Sequence, residues 1–299
     1  MLSLDDLQRL ADRFSDCLDL RVREFDIGGR PFAFNARPHL MGVVNLSPDS
    51  WYRESVCLTA EQAIRRGRRL AAEGADLVDV GAESTLAHAA RVDATEQTGK
   101  LSPVISGLKA AGIPVSAETY DLSLAKACLE TGASVLNLTG TTRTEDIFRL
   151  VAEHRAAVIL CYVEGEHVRA VGDFSLKDDM IPPMQDYFAR KIEEATRLGV
   201  ERIILDPGLG FYYRNLRDSA DRVRRQMRTF LNTFRLRKLG WPVCHALPHA
   251  FEYFGEEVRC AEPFFATLAL LGGTDLIRTH EIAKVRGVVG TLEAWPSKG

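Results

Sequence analysis

The chain has 299 residues, of which 46% are hydrophobic and 26% are charged, a composition that is ordinary for a folded globular protein and argues against intrinsic disorder. The 38 lysine and arginine residues nearly balance the 41 aspartate and glutamate residues, so the net charge of −3 gives no field that would gather nucleic acid or an anionic membrane. Six dispersed cysteines without a CxxC pair, and apolar runs too short to span a bilayer, argue against a zinc site and a membrane anchor and favour a reducing cytoplasm.

An extension that precedes the main fold is predicted over residues 1–36. Two β-rich runs, Leu20 to Ile27 and Arg30 to Phe34, flank the pair Gly28-Gly29, and glycines in that position favour the tight turn of a β-hairpin. We expect a short helix and this hairpin to form the extension, and we expect the hairpin to cover the bottom of a barrel that occupies residues 37–299.

One local pattern recurs along the rest of the chain: an amphipathic stretch, a glycine that can end a helix, and a short apolar run. The six runs that follow a glycine are Asp76 to Val80, Pro114 to Ala117, Ser134 to Leu138, Arg202 to Leu205, Pro242 to His245 and Leu276 to Thr279. Two more runs, His39 to Asn45 and Ala157 to Val163, bring the number of predicted strands to eight. Apolar strands that alternate with helices predict a (βα)8 barrel of the α/β class, with an open doubly wound sheet as the alternative.

Polar side chains fall near the ends of seven of these predicted strands. They are Asn45, Asp79, Glu118, Asn137, Asp206, His245, and Arg278 with His280. The active sites of such barrels are assembled at the carboxyl ends of the strands. Any one of these residues is also compatible with simple contact to solvent or with a helix cap, but their recurrence on seven strands favours a functional site.

Four segments of the chain resemble, in order, the sequence signatures of the dihydropteroate synthase family. Residues 41–50 read MGVVNLSPDS, similar to the family's MGxxNxTPDS, and residues 74–85 read GADLVDVGAEST, similar to GADIIDVGGEST. Residues 206–211 read DPGLGF, similar to DPGIGF, and residues 276–282 read LIRTHEI, similar to IxRVHDV. Because the segments keep the family's order over about residues 39–290, the chain resembles a divergent member of this family of pterin-binding barrels.

The resemblance implies a transferase that acts in the biosynthesis of folate or of another pterin cofactor. In the implied reaction, a dihydropterin that bears a methyl diphosphate loses diphosphate, and the amine of p-aminobenzoate or of a related arylamine takes its place. The resemblance also implies Mg²⁺ as the cofactor, these small molecules as the partners, and a homodimer.

The family's site residues can be matched to positions of this chain. Asn45, Arg278 and His280 match the magnesium and diphosphate site and are the candidate catalytic residues, with Asn45 as the metal ligand. The candidate substrate-binding residues are Asp79, Ser84, Thr85, Glu118, Asn137 and Asp206. Of these, Asn137 and Asp206 match the residues that grip the pterin edge, since a carboxylate can accept hydrogen bonds from adjacent ring N–H and amino groups.

The chain also departs from the family at positions that bear on catalysis. After the seventh barrel strand the family carries a Ser-Arg-Lys run whose lysine contacts the pterin, whereas residues 245–250 read HALPHA. Glu118 and Leu138 each replace a usual aspartate, and the first two loops are altered, at residues 50–55 and at Leu86 and Ala87. These changes predict a reshaped pocket and leave the identity of the amine acceptor open.

Two further functions remain as alternatives. The missing lysine and the altered loops favour a pterin-binding carrier or regulatory paralogue without turnover. A methyltetrahydrofolate-type methyltransferase has a similar barrel, although the first-strand and last-strand segments fit it less well. For single residues, Asp206 is also compatible with a plain strand-ending turn, and Arg278 and His280 with ion pairs to Asp275 or Glu281.

Overall fold

The amino-terminal extension is a helix followed by a two-stranded hairpin in the computed structural model, which describes residues 1–47, 55–83, 92–168, 170, 173, 177–210, 218–248 and 250–295. Helix α1 is Leu4–Arg13, and strands β1 (Phe25–Ile27) and β2 (Arg30–Phe32) pair antiparallel. The predicted hairpin is therefore present, with shorter strands than the β-rich runs suggested.

Eight parallel strands form the main sheet. They are β3 His39–Asn45, β4 Leu77–Gly81, β5 Val115–Thr119, β6 Val135–Leu138, β7 Ala157–Cys161, β8 Ile203–Asp206, β9 Cys244–Ala246 and β10 Leu276–Thr279. Neighbours are hydrogen-bonded in the order β8-β7-β6-β5-β4-β3-β10-β9, and a parallel bridge between Leu205 and Val243 joins the two end strands. The ring closes, which confirms the predicted (βα)8 barrel and excludes the open doubly wound sheet.

Helices alternate with these strands and pack around the barrel. They are α2 Ala60–Glu73, α3 Ala94–Ala110, α4 Leu122–Thr131, α5 Thr144–Glu153, α6 Ile181–Arg197, α7 Ser219–Leu231, α8 Phe251–Phe254, α9 Ala261–Leu271 and α10 Ile282–Glu293. The sequence specifies both ends of α2: the Thr59 hydroxyl accepts from the Gln62 N–H at 3.2 Å, and Gly74 ends the helix with a φ of 115°. Glycine adopts this left-handed conformation at little cost, which is why the recurring glycines marked helix ends.

The hairpin closes the amino end of the barrel with apolar side chains. Ile27 and Phe32 are buried against the first residues of several barrel strands, and the Phe32 ring stacks on the His39 imidazole at a centroid distance of 4.5 Å. The polar strand residues collect at the opposite end, where the strands reach their carboxyl ends. We call this end the mouth of the barrel.

Gly272, directly after α9, lets this helix approach α7 closely. A Cβ atom added at Gly272 would lie 1.8 Å from the carbonyl oxygen of Phe230, and a backbone oxygen cannot rotate away. We expect Gly272→Ala to lower the free energy of unfolding by about 2–3 kcal/mol, measured by denaturant titration.

The control for this prediction is Gly287→Ala in the exposed part of α10, where the added Cβ would meet no described atom within 4 Å apart from its chain neighbours and the backbone of its own helix. Alanine there should raise the free energy of unfolding by about 0.5–1 kcal/mol, because glycine is the poorer helix former. Equal effects of the two substitutions would show that the α7 contact does not limit the space at Gly272.

No helix in the described part of the chain is long and apolar enough to cross a membrane. All six cysteines belong to described residues and are free thiols, five of them buried and Cys260 exposed. The thiols therefore form no disulfide framework.

Candidate active site

Arg278 lies at the centre of a buried ion-pair network in the mouth of the barrel. From β10, its Nε donates to Asp79 Oδ2 at 2.7 Å and its Nη2 donates to Glu118 Oε2 at 2.9 Å. Asp79 is fully buried on β4, and Glu118 is largely buried on β5. Burial lowers the pKa of Arg278, but the two carboxylates outweigh this and raise the pKa above its ordinary value. The guanidinium is therefore held in its charged form.

Two polar side chains on neighbouring strands hold Asp79 in place. Ser116 Oγ donates to Asp79 Oδ1 at 2.6 Å, and Asn137 Nδ2 donates to Asp79 Oδ2 at 3.4 Å. On the next strand, the Cys161 thiol lies 3.7 Å from Asn137 Oδ1. Strands β4 to β7 thus each contribute at least one side chain to a single polar cluster.

Asp206 and Glu118 are buried carboxyl groups whose charge the site compensates only in part. Burial raises the pKa of Asp206 to about 6, although the Gly208 N–H, 2.8 Å from Oδ1, and Arg278 lower it. Burial also raises the pKa of Glu118 to about 7. Arg278 opposes this rise in the Glu118 pKa, whereas Asp79 and Asp206 add to it. Carboxyl groups that titrate this close to neutrality are common at functional sites.

Removal of the Glu118 charge is expected to stabilise the protein, and more so as the pH rises. A carboxyl group with a pKa of about 7 in the folded state, against an ordinary value of 4.5, binds its proton more tightly in the folded chain. Folding stability therefore falls as the pH rises between these two values. We expect the free energy of unfolding of Glu118→Gln, relative to wild type, to increase by about 2–3 kcal/mol between about pH 4.5 and about pH 7.5.

Denaturant unfolding at both pH values measures this difference, with Glu153→Gln as the control. Glu153 is exposed at the end of α5, so its replacement should change the free energy of unfolding equally little at both pH values. A difference for Glu118→Gln that stays constant or shrinks as the pH rises would be incompatible with the raised pKa.

Asn45 lies at the rim of the mouth, where β3 ends. Its side-chain Nδ2 donates to the hydroxyl of buried Ser55 at 2.5 Å, and its main-chain carbonyl oxygen accepts from the Cys57 N–H at 2.7 Å. The returning end of the first loop is therefore attached to Asn45, which fixes the orientation of the amide side chain.

The second loop is described only in part. The predicted substrate-binding residues Ser84 and Thr85 lie outside the described residues. Glu83 is described: its Oε2 accepts from the Tyr120 hydroxyl at 2.7 Å, and the Tyr120 ring stacks on the His167 imidazole at a centroid distance of 4.1 Å. These three side chains follow β4, β5 and β7, so an aromatic pair that the sequence analysis did not identify bounds this side of the mouth.

His280 follows β10 and pairs with a carboxylate from α9. Its Nδ1 lies 2.7 Å from Glu262 Oε1. The alternative pairings considered from the sequence are wrong for both basic residues. Asp275 accepts from the Val243 N–H at 2.8 Å at the amino end of the barrel, and Glu281 pairs with Arg259. Arg278 on β10 and His280 directly after it therefore both pair with carboxylates from other elements.

His245 is not part of the mouth, so the prediction that it joins the other strand-end residues is wrong. Its Nε2 lies 2.7 Å from the Thr233 hydroxyl, and its ring meets the edge of Phe230 at a centroid distance of 4.8 Å. Successive side chains of a strand point to opposite faces, and His245 faces outward to the residues at the end of α7. Burial lowers the pKa of His245 to about 3, so the ring is neutral.

Besides the aromatic pair, three further residues of this site were not assigned a role from the sequence. Ser116 precedes Glu118 by two positions, a spacing that places both side chains on one face of a strand, so the signal was available. Glu262 is a carboxylate at the start of the predominantly apolar helix α9, and this contrast was also visible in the sequence. Cys161 carried no signal, because cysteine is common in apolar cores.

Comparison with known proteins extends these observations. The profile of the family described as pterin binding enzyme matches residues 41–280. The dihydropteroate synthase of Synechocystis sp. is 26% identical over an alignment 303 positions long, which covers 97% of this chain and 99% of that protein. The dihydropteroate synthase of Bacillus subtilis is 27% identical, over 89% of this chain and 92% of that protein.

Solved structures give the same result for the fold. The Xanthomonas albilineans dihydropteroate synthase with 4-aminobenzoic acid superposes with a TM-score of 0.76 and 30% identity, and covers 92% of this chain and 100% of that chain. The same enzyme in complex with 7,8-dihydropteroate superposes with a TM-score of 0.74 and 28% identity over 92% of this chain and 100% of that chain. The likeness therefore extends over the whole barrel.

Proposed function

Because the chain belongs to the pterin-binding enzyme family, we propose that it is a dihydropteroate synthase-type transferase, which condenses a dihydropterin methyl diphosphate with an arylamine in the biosynthesis of folate or another pterin cofactor. The observation that carries the proposal is the cluster of buried polar groups around Arg278 at the mouth, in which Asp79 and Arg278 belong to two of the segments that resemble the family signatures.

Asp206, Asn137 and Glu118 are the residues that would bind the pterin ring. A pterin presents adjacent N–H and amino donors along one edge, and the buried carboxylate of Asp206 can accept two hydrogen bonds from them. Glu118, with its pKa raised by burial to about 7, can accept from a ring donor when ionised and donate to a ring acceptor when protonated. These contacts would orient the methylene carbon of the substrate toward the open end of the barrel.

Arg278 and His280 would act on the leaving group. In the condensation a C–N bond to the amine forms, the C–O bond to diphosphate breaks, and negative charge accumulates on the diphosphate oxygens. Cationic or N–H donors that are already in place stabilise that charge more in the transition state than in the bound substrate. Arg278 on β10 and His280 directly after it are two positions apart, which is the arrangement such a role needs.

Mg²⁺ is the proposed cofactor, with Asn45 as its protein ligand. An amide oxygen suits this hard cation, and the hydrogen bond from Asn45 Nδ2 to Ser55 fixes which end of the amide carries the oxygen. The described residues contain no group of three or more acidic, histidine or cysteine side chains that would form a metal cage. This fits Mg²⁺, which commonly binds one or two protein oxygens together with substrate phosphates and water. When bound, the ion would neutralise charge on the diphosphate.

The family lysine that contacts the pterin is missing from residues 245–250. Arg278 bridges Asp79 and Glu118 across the pocket and already compensates part of the negative charge there. We propose that it also supplies the positive charge that the lysine provides in the family, which a guanidinium can do while making several directed hydrogen bonds.

We further propose a cytoplasmic homodimer. Six free thiols suit a reducing compartment. Phe264 and Leu271 on α9 are 43% and 58% exposed, and apolar side chains of this size are favoured at subunit contacts. Sedimentation of the purified protein would report the oligomeric state.

The reaction is tested by calorimetric titration with 6-hydroxymethyl-dihydropterin diphosphate and Mg²⁺, followed by an assay of diphosphate release with p-aminobenzoate present or omitted. Binding with release that requires the amine is the expected result. Release that does not require the amine would indicate hydrolysis, and absence of binding would overturn the pterin assignment.

A pterin-binding protein without turnover is the second candidate function. The observation that favours it is the sequence HALPHA at the position of the family's Ser-Arg-Lys run. Binding of the pterin diphosphate without release, with p-aminobenzoate and with bulkier arylamines, is the result that this candidate predicts.

A further inference from the structure

Glu262 is a carboxylate in a place where helix α9 is otherwise largely apolar. The side chain is fully buried, and an ionised carboxylate without partners would be strongly disfavoured there. Its two oxygens are engaged differently. Oε2 accepts from the Thr279 hydroxyl, from the His280 N–H at 2.9 Å and from the Glu281 N–H at 3.3 Å. Oε1 lies 2.7 Å from Nδ1 of the His280 imidazole.

The two oxygens of Glu262 serve different functions: Oε2 binds the backbone after β10, and Oε1 binds the His280 imidazole. The three donors at Oε2 fix the backbone where β10 leaves the barrel, which is a structural function. The contact at Oε1 contributes nothing to the backbone. Since a carboxylate oxygen only accepts hydrogen bonds, Nδ1 must carry the proton in this contact. The opposite ring nitrogen, Nε2, therefore points away from α9.

We propose that Glu262 is a positioning residue for His280: by accepting from Nδ1–H it fixes the orientation of the imidazole, directs Nε2 toward the leaving diphosphate, and allows the ring to take a second proton from solvent on Nε2, which then donates to a diphosphate oxygen. Buried carboxylates that orient a histidine in this way set which nitrogen acts. The part of this inference that concerns diphosphate rests on the proposed function, whereas the part that concerns the tautomer does not.

The substitution Glu262→Gln gives a specific prediction for the tautomer. The glutamine oxygen can replace Oε2 and accept from the same three donors, which leaves the amide NH₂ facing Nδ1. An NH₂ group donates, so Nδ1 must then accept and the proton must move to Nε2. Retention of the Nδ1–H tautomer in the variant would show that the contact with Glu262 does not set the tautomer.

Nitrogen-15 NMR of histidine-labelled protein measures the tautomer, and the His280 signals are assigned by their loss in His280→Asn. We expect a protonated Nδ1 in wild type and the Nε2–H tautomer in Glu262→Gln. The matched control is Glu281→Gln, a neighbouring carboxylate that pairs with Arg259, which should leave the His280 signals in place. A wild-type spectrum with the Nε2–H tautomer overturns the proposal even if Glu262→Gln fails to fold.

Titration with inorganic diphosphate and Mg²⁺ measures the consequence for the leaving group, and titration with 6-hydroxymethylpterin, which lacks the diphosphate, measures the ring site. In Glu262→Gln the amide NH₂ occupies the Nδ1 lone pair, so His280 can donate from Nε2 only as a neutral ring and loses its positive charge toward the diphosphate. We expect the variant to weaken diphosphate binding by about 10-fold, as loss of a supporting residue commonly does, and to leave pterin affinity unchanged. Unchanged diphosphate affinity in the variant overturns the positioning role. Wild-type protein that binds neither compound would instead overturn the proposed function, and the NMR result would still decide the tautomer.

Discussion

Replacement of Arg278 by methionine is expected to lower the free energy of unfolding by about 3–5 kcal/mol near neutral pH, because it leaves buried carboxylates without their cation. Asp79 is fully buried and accepts from the Arg278 Nε at 2.7 Å. Methionine has a similar length but no charge, so the change isolates the loss of the ion pair from a loss of volume. Denaturant unfolding gives the measurement.

Two further variants identify the source of this loss. Arg149→Met removes an arginine of which 57% is exposed and which pairs with Glu145 and Asp146 on α5, and it should cost less than about 1 kcal/mol. Asp79→Asn placed in the Arg278→Met background should restore much of the lost stability, since it removes the charge that was left unpaired. An Arg278→Met protein as stable as Arg149→Met would show that Asp79 does not depend on Arg278.

The strands and the closed barrel could be predicted from the sequence because they are local in origin. Each glycine that ended a helix was followed by an apolar run, and both signals lie within about ten residues. Small errors remained at strand ends: the strand predicted over Ala157 to Val163 ends at Cys161. Motifs also located the polar residues of the mouth, since a parallel barrel brings all carboxyl ends of its strands together.

The partners of those polar residues could not be predicted, because they are distant in the chain. Arg278 and Asp79 are separated by 199 positions, whereas local spacing could suggest only nearby carboxylates, such as Asp275 and Glu281, as partners. For the same reason the side chain of His245 was assigned to the wrong face of its strand. The apolar run predicted the strand, but the face on which each side chain lies depends on the register with the neighbouring strands, and a shift of one residue reverses it. Thr233 and Phe230, which surround this histidine, lie in a different element.

Replacement of Asp206 by asparagine is expected to weaken pterin binding by about 100-fold, measured by titration with 6-hydroxymethylpterin. A carboxylate can accept hydrogen bonds from two adjacent ring donors, whereas an amide offers one acceptor and turns its NH₂ toward the other donor. The loss of one charge-assisted bond and the unfavourable donor contact together correspond to about 2–3 kcal/mol.

The folding stability of Asp206→Asn should change in the opposite direction, which separates a binding defect from a damaged fold. Burial raises the pKa of Asp206 to about 6, so above that pH the ionised group costs folding energy that asparagine does not, while the amide oxygen can still accept from the Gly208 N–H. The control is Asp275→Asn, a buried carboxylate at the amino end of the barrel, which should leave pterin affinity unchanged. If Asp206→Asn binds pterin within about 3-fold of wild type, a difference of less than about 1 kcal/mol, Asp206 shapes the turn after β8 and does not hold the ring.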